Sequence, residues 1–212
     1  MSLIQNLIFL KNKSMNIINK IKPSILLLFS ALMFIACTVD DEGDELLEEA
    51  FLSNGNFESG QDKWIFYPNG GTAEIDNSLS NGKGSNSAKI ATNGSSNPGI
   101  KQERIGVGVI NPGDIIQIDF DHIGSVAGDG GIVNLILFIE RAEGESGAPI
   151  THIFEPRPIL SENWTTYSQS YTIPNNAIVT GGISFLIESV CGGDSGCIVN
   201  ANIDNVIISI NP

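Results

Sequence analysis

The chain has 212 residues, a formal net charge of −13, only 17% charged residues and 23 glycines. That length suits one domain plus a tail. An acidic chain without a basic stripe argues against a nucleic-acid partner, and few charges among many glycines favour short strands joined by tight turns.

Residues 1–36 hold four lysines and no acid. Within them, Ile25 to Ala36 is an apolar run of twelve residues. A mature membrane-spanning helix needs about 20, so the run has the length of a signal-peptide core. Small Ala36 precedes Cys37. The stretch Phe34-Ile35-Ala36-Cys37 resembles the lipobox of bacterial lipoproteins, with Phe34 where leucine is usual. That resemblance implies acylation of Cys37 and a membrane lipid anchor; the plain alternative is an ordinary cysteine behind a cleaved signal. Met15 offers a start that gives a signal of ordinary length. Residues 37–51 then carry seven acids and no base. They read as an acidic flexible tether. The run also resembles the export signal of Bacteroidetes-type lipoproteins, which implies an outer-membrane protein exposed at the cell surface.

Residues 52–212 form the folded domain. The stretch Ile115 to Asp121 alternates with period two, so Ile116, Ile118 and Phe120 share the core face and Gln117, Asp119 and Asp121 the other. Ile132 to Ile139 is apolar on both faces, with Val133, Leu135, Leu137 and Ile139 as the inner set and Asn134, Ile136, Phe138 and Glu140 outward. Thr165 to Ile173 places Tyr167, Tyr171 and Ile173 inward. Ile183 to Ile187 and Ile203 to Ser209 follow as strands. Turn markers such as Asn69-Gly-Gly and Asn111-Pro-Gly-Asp separate the runs, and no amphipathic helix appears after residue 50. This pattern predicts an all-β antiparallel sandwich. Cys191 and Cys197, an even pair in a glycine loop outside the cytoplasm, read as a disulfide. A zinc site there lacks further His or Cys partners.

Six motifs, in order, resemble the carbohydrate-binding modules of the family 4, 9 and 22 type. They are Asn54-Gly-Asn-Phe-Glu58 with Trp64, Gly84-Ser-Asn-Ser-Ala-Lys-Ile90, Gly99-Ile-Lys-Gln102, Pro112-Gly-Asp-Ile-Ile-Gln-Ile118, Trp164 with Tyr171-Thr-Ile-Pro174, and Ile203-Asp-Asn-Val206. The resemblance covers residues 52–210. It implies a jelly-roll, galactose-binding-like sandwich that binds a polysaccharide and has no catalytic activity. It implies core roles for Trp64 and Trp164, and outward strand residues as the ligand contacts. The expected binding set is therefore Gln117, Asp119, Asp121, Asn134, Phe138 and Glu140, extended by Gln102, Leu186 and Glu188, with Tyr67 at one end. An outward ring beside amides and carboxylates is what a sugar site needs. The resemblance further implies a structural Ca²⁺ held by Glu58 and Asp204, although Asn205 stands where the family has a second acid.

Several catalytic patterns fail on their own chemistry. Gly193-Asp-Ser-Gly196 lacks a matching His context for a serine nucleophile. Glu74-Ile-Asp76 lacks a second catalytic acid, because position 79 is Leu79. His152 and Arg157 carry no lyase signature around them. The expected function is non-catalytic capture of a polysaccharide, alongside an outer-membrane glycan transporter complex. The alternatives are a jelly-roll lyase or hydrolase, and an adhesion lipoprotein. The domain's seven bases and seventeen acids, a net of −10, favour a neutral glucan, xylan or mannan. An alginate-like polyanion would need Lys101, Arg104 and Arg141 as a basic patch.

Overall fold

In the computed structural model, residues 51–212 are described, other than 83 and 193–195. The expected signal, the lipidation site Cys37 and nearly all of the tether lie outside the described residues.

Alternation of apolar and polar residues, broken by glycine and asparagine turns, produces ten strands and no helix among the described residues. Sheet A runs in the order β1 (Ile65–Tyr67), β4 (Gly99–Ile105), β9 (Gly182–Cys191), β6 (Gly131–Glu140), β7 (Ile150–Ile153). Sheet B runs β2 (Thr72–Asp76), β3 (Ser87–Ala91), β10 (Ile198–Ile210), β5 (Ile115–Ala127), β8 (Thr165–Thr172). Every pairing is antiparallel. The expected antiparallel sandwich is the fold.

The inward sets meet between the sheets. Ile116, Ile118 and Phe120 of β5 and Val133, Leu135, Leu137 and Ile139 of β6 are all buried. Tyr167, Ile173, Ile183, Phe185 and Ile187 join them. Burial of such side chains at roughly 1.5–3 kcal/mol each drives the closure. The first described residues already belong to the sandwich: Leu52 is core and Phe51 packs against it.

The opening motif closes one end. The Trp64 indole N–H donates to the Asn54 carbonyl (3.0 Å), and its ring lies 5.1 Å from that of buried Phe57. Trp64 is therefore core, as expected; Trp164 is half-buried. The Gly55 carbonyl accepts a hydrogen bond from the Val206 amide (2.9 Å), and the two backbones lie so close that a Cβ on Gly55 would run into the Val206 carbonyl. At the other end of the chain order, the Cys191–Cys197 disulfide joins the end of β9 to the start of β10.

Two bulges shift parity. In β10 the inward residues are Val199, Ala201 and Ile203, then Val206 and Ile208, with the register break between Asp204 and Ile207. In β4 the break lies between Gln102 and Ile105. Each bulge holds one non-glycine residue in the left-handed region, Asn205 at φ 50° and Arg104 at φ 58°. Asparagine tolerates that region; arginine adopts it at a cost.

Candidate functional site

Sheet A carries its outward side chains in rows fixed by the register. Tyr67 of β1 lies opposite Gly99 of β4, followed by Glu188 of β9 and Asn134 of β6. The next row is Lys101, Leu186, Ile136 and Ile153. The third sets Ser184 against Phe138. Gly99 is buried, and Leu186 and Glu188 pack over it so closely that a Cβ there would meet both at 3.1 Å; it forms the floor of a cavity between Tyr67 and Glu188. Ile136 is 9% exposed and Ser184 1%, although both point away from the core. The middle of this face is a trough.

Three cavities lie along it. The central one, about 260 Å³, is lined by Tyr67, Lys101, Phe138, Leu186 and Glu188, with Asn69 and Asn97 at its edge. A second, about 330 Å³, shares Asn69, Asn97 and Glu188 and adds Asn134. A third, about 240 Å³, lies at the opposite end between Glu103, Arg104, Glu140, Arg141 and Ser184. From Asn134 to Glu140 the face extends roughly 20 Å at about 3.3 Å per residue.

Polar groups in the trough are pre-positioned. Arg157 Nε donates to Asn134 Oδ1 (2.8 Å), and Asn134 Nδ2 donates to Glu188 Oε1 (3.0 Å). Arg157 also pairs with Glu155 at 2.9 Å. The Lys101 ammonium sits 5.1 Å from the Phe138 ring centroid and 2.8 Å from Glu103. That cation–π contact makes Phe138 a ring shared with a lysine, beside half-buried Tyr67 and Leu186. Such a surface can stack the C–H face of a sugar ring and hydrogen-bond its hydroxyls.

The expected binding set divides. Tyr67, Asn134, Phe138, Glu140 and Glu188 share this face. Gln117, Asp119 and Asp121 do not, which corrects the single-face expectation. The strands β5 and β6 follow one another but belong to opposite sheets, so outward on one is the far side of the molecule from outward on the other. Gln117 Nε2 donates to Ser168 Oγ (2.8 Å) and to Asp119 Oδ1 (3.2 Å). Asp121 accepts from Asn81 Nδ2 (2.6 Å), Thr166 Oγ1 (2.6 Å) and Asn205 Nδ2 (2.9 Å). Gln102 is also corrected: it is 5% exposed, accepts from the Ser53 amide (2.9 Å) and donates to the Ser53 carbonyl (2.8 Å). It anchors the domain's first residues. Asn69, which reads as a turn marker in the sequence, also lines these cavities, as do Asn97 and buried Ser184, which carry no sequence signal of their own. His152 faces inward and stacks on Tyr171 at 3.9 Å, so it does not converge with Arg157.

A family model described as a carbohydrate-binding domain, CBM 4/9, matches residues 49–188. The chain belongs to this family. Two solved structures share the CBM 4/9 domain's sandwich. One is the enzymatically active domain of tailspike protein 4 of bacteriophage CBA120 (TM-score 0.51, 16% identity, 76% of this chain and 21% of that). The other is an arabinose-bound α-L-arabinofuranosidase, MgGH51 (0.52, 14%, 79% and 27%). The chain thus spans about a fifth to a quarter of their lengths. The CBM22-1 xylan-binding domain of Paenibacillus barcinonensis Xyn10C aligns at TM-score 0.49 and 15% identity, over 74% of this chain and 92% of that. No curated protein sequence matches the chain.

The Ca²⁺ expectation for this CBM 4/9 domain meets a different arrangement. Glu58 accepts from the amides of Ser85 and Asn86 (2.8 Å each) and from the Ser85 hydroxyl (3.1 Å). The backbone donors hold its carboxyl below the usual range. Asp204, 2% exposed, accepts from the amides of Asn81 (2.9 Å) and Asn205 (2.7 Å). Burial raises its pKa, and the charges of Asp121 and Glu58 add to that. Each Asp204 oxygen has its own amide donor. Among the described residues no group of three or more His, Cys, Asp or Glu is placed to hold a metal ion.

Proposed function

We propose that the CBM 4/9 domain binds a polysaccharide along the trough of sheet A without cleaving it, at the outer face of the outer membrane through a lipid on Cys37. The observation that carries the reading is the juxtaposition of Tyr67 and Leu186 with the fixed Arg157–Asn134–Glu188 chain around the central cavity floored by Gly99. An apolar platform beside planar hydrogen-bonding groups matches a pyranose ring, which has one C–H face and an equatorial rim of hydroxyls. An open trough of this length gives several weak contacts on a repeating chain, and clustering on a cell surface strengthens them by avidity. Capture for a neighbouring transporter complex fits that arrangement.

Affinity electrophoresis of the full chain against soluble xylans, glucans and mannans tests the reading. Tyr67→Ala is expected to weaken binding about tenfold or more, the loss typical of truncating an anchoring aromatic, with the thermal transition unchanged. New reducing ends or unsaturated products after incubation with the bound polymer would replace capture by catalysis. Cys37→Ser is expected to abolish acylation and release the protein from membranes.

A further inference from the structure

The charge on the domain is not spread evenly over its two outer faces. Four of the seven bases in residues 51–212, Lys101, Arg104, Arg141 and Arg157, border the trough, although the domain's net charge is −10. Lys101 and Arg157 are paired with Glu103 and Glu155. Arg104 and Arg141 have no hydrogen-bond or ion partner among the described residues. They flank the third cavity, about 240 Å³, with buried Ser184 below them. Of the two acids there, Glu103 is held by Lys101, and Glu140 remains.

Both arginines are placed by local backbone features. Arg104 sits in the β4 bulge at φ 58°. A left-handed backbone costs a non-glycine residue about 1–2 kcal/mol, and bulges commonly re-aim a side chain beside a site. Here the bulge brings the Arg104 side chain to the wall of the cavity. Arg141 lies over Gly147, where an added Cβ would come within 2.9 Å of the guanidinium.

We propose that this end of the trough reads an anionic group on the bound glycan, the carboxylate of a uronic acid or a sulfate ester. The proposal rests on the glycan-binding reading of sheet A. Arg104 and Arg141 are the charge-assisted donors, since planar guanidinium groups match flat or trigonal oxyanions. Glu140 takes a hydroxyl of the same sugar residue. The domain's acidity elsewhere repels polyanions, so the attraction is confined to this end and to one register of the chain.

The test uses the full chain in affinity electrophoresis at fixed ionic strength. The probes are glucuronoxylan and alginate, the same two polymers after carboxyl reduction, and carrageenan. Tighter binding to a parent polymer than to its reduced form, by about tenfold as for a charged hydrogen bond, supports the carboxylate arm. Preference for carrageenan over the reduced polymers supports the sulfate arm. The Arg104→Asn, Arg141→Gln double variant is expected to bring that ratio to about one; asparagine keeps a residue that tolerates the bulge backbone. Arg141→Gln alone, which leaves the bulge intact, lowers the ratio in the same direction. Equal binding of parent and reduced polymers with carrageenan ignored, or a preference that survives both substitutions, overturns the proposal while leaving neutral glycan binding in place. Binding to none of these polymers and to no neutral xylan, glucan or mannan overturns the sheet A reading as well.

Discussion

Asp121 accepts hydrogen bonds from side chains on β8, on β10 and in the loop before β3. Asp121→Ala strands three donors and is expected to cost about 1–3 kcal/mol, read as a lower urea midpoint with glycan affinity retained. A loss of affinity with unchanged stability would move the site to sheet B. From the sequence, Asp121 and Asn134 look alike: each is a polar residue at an outward position of a strand. What separates them is whether neighbouring loops reach back to satisfy them, which alternation does not encode. Histidine burial gives a second expectation at this scale. Desolvation lowers the pKa of His122 and of His152 below 6.5, with Asp121 opposing the shift at His122. A depressed folded pKa means the stability is fully present above about 6.5 and is lost as pH falls through the lower folded value. Asp204, with its raised pKa, acts in the opposite sense: its contribution is present below 3.8 and lost as pH rises through the folded value. The histidine contribution to the melting temperature is therefore expected to fall from pH 8 to pH 5 against the opposing change at Asp204, and His122→Phe to remove its share of that fall. A pH dependence unchanged by the substitution would remove His122 as its source.

At the scale of elements, the two bulges set the limits of parity. Reading inward and outward positions works from Ile116 to His122 and from Val133 to Ile139, where the strands run without interruption. It fails past Gln102 and past Asp204, where one extra residue reverses the faces. Strand β7 was invisible for a different reason. It is a four-residue edge strand with one neighbour and mostly exposed side chains, so it carries no apolar contrast. The closing contact between Gly55 and Val206 was legible only as a family motif. Gly55→Ala is expected to destabilise the domain by more than about 2 kcal/mol, because the clash is with backbone that cannot rotate away. A near-native melt for that variant would show that the opening and closing segments of the domain are not held together as described.

At the scale of the molecule, the sandwich has two outer faces of different character. Sheet B shows a ladder of Gln117, Asp119 and Asp121 knitted to Ser168 and Thr166, a polar surface that satisfies itself. Sheet A keeps an open trough with an aromatic at its edge and bases along its length. The sequence patterns of β5 and β6 set out both faces but could not say that they point apart, because that depends on the chain crossing between sheets at residues 128–130. The acids at Glu58, Asp121 and Asp204 are held by amides and by the hydroxyls of Ser85 and Thr166, so exchanging millimolar Ca²⁺ for a chelator is expected to leave the melting temperature unchanged. A rise of several degrees with Ca²⁺ would mean that these side chains turn from the amides to an ion. The most direct measurement is a map of backbone amide chemical shifts while a short oligosaccharide of a bound polymer is titrated in. Shifts gathered on Tyr67, Gly99, Lys101, Leu186 and Glu188 are expected. Shifts gathered instead on Gln117, Asp119 and Ser168 would place the ligand on sheet B and contradict the assignment of the trough.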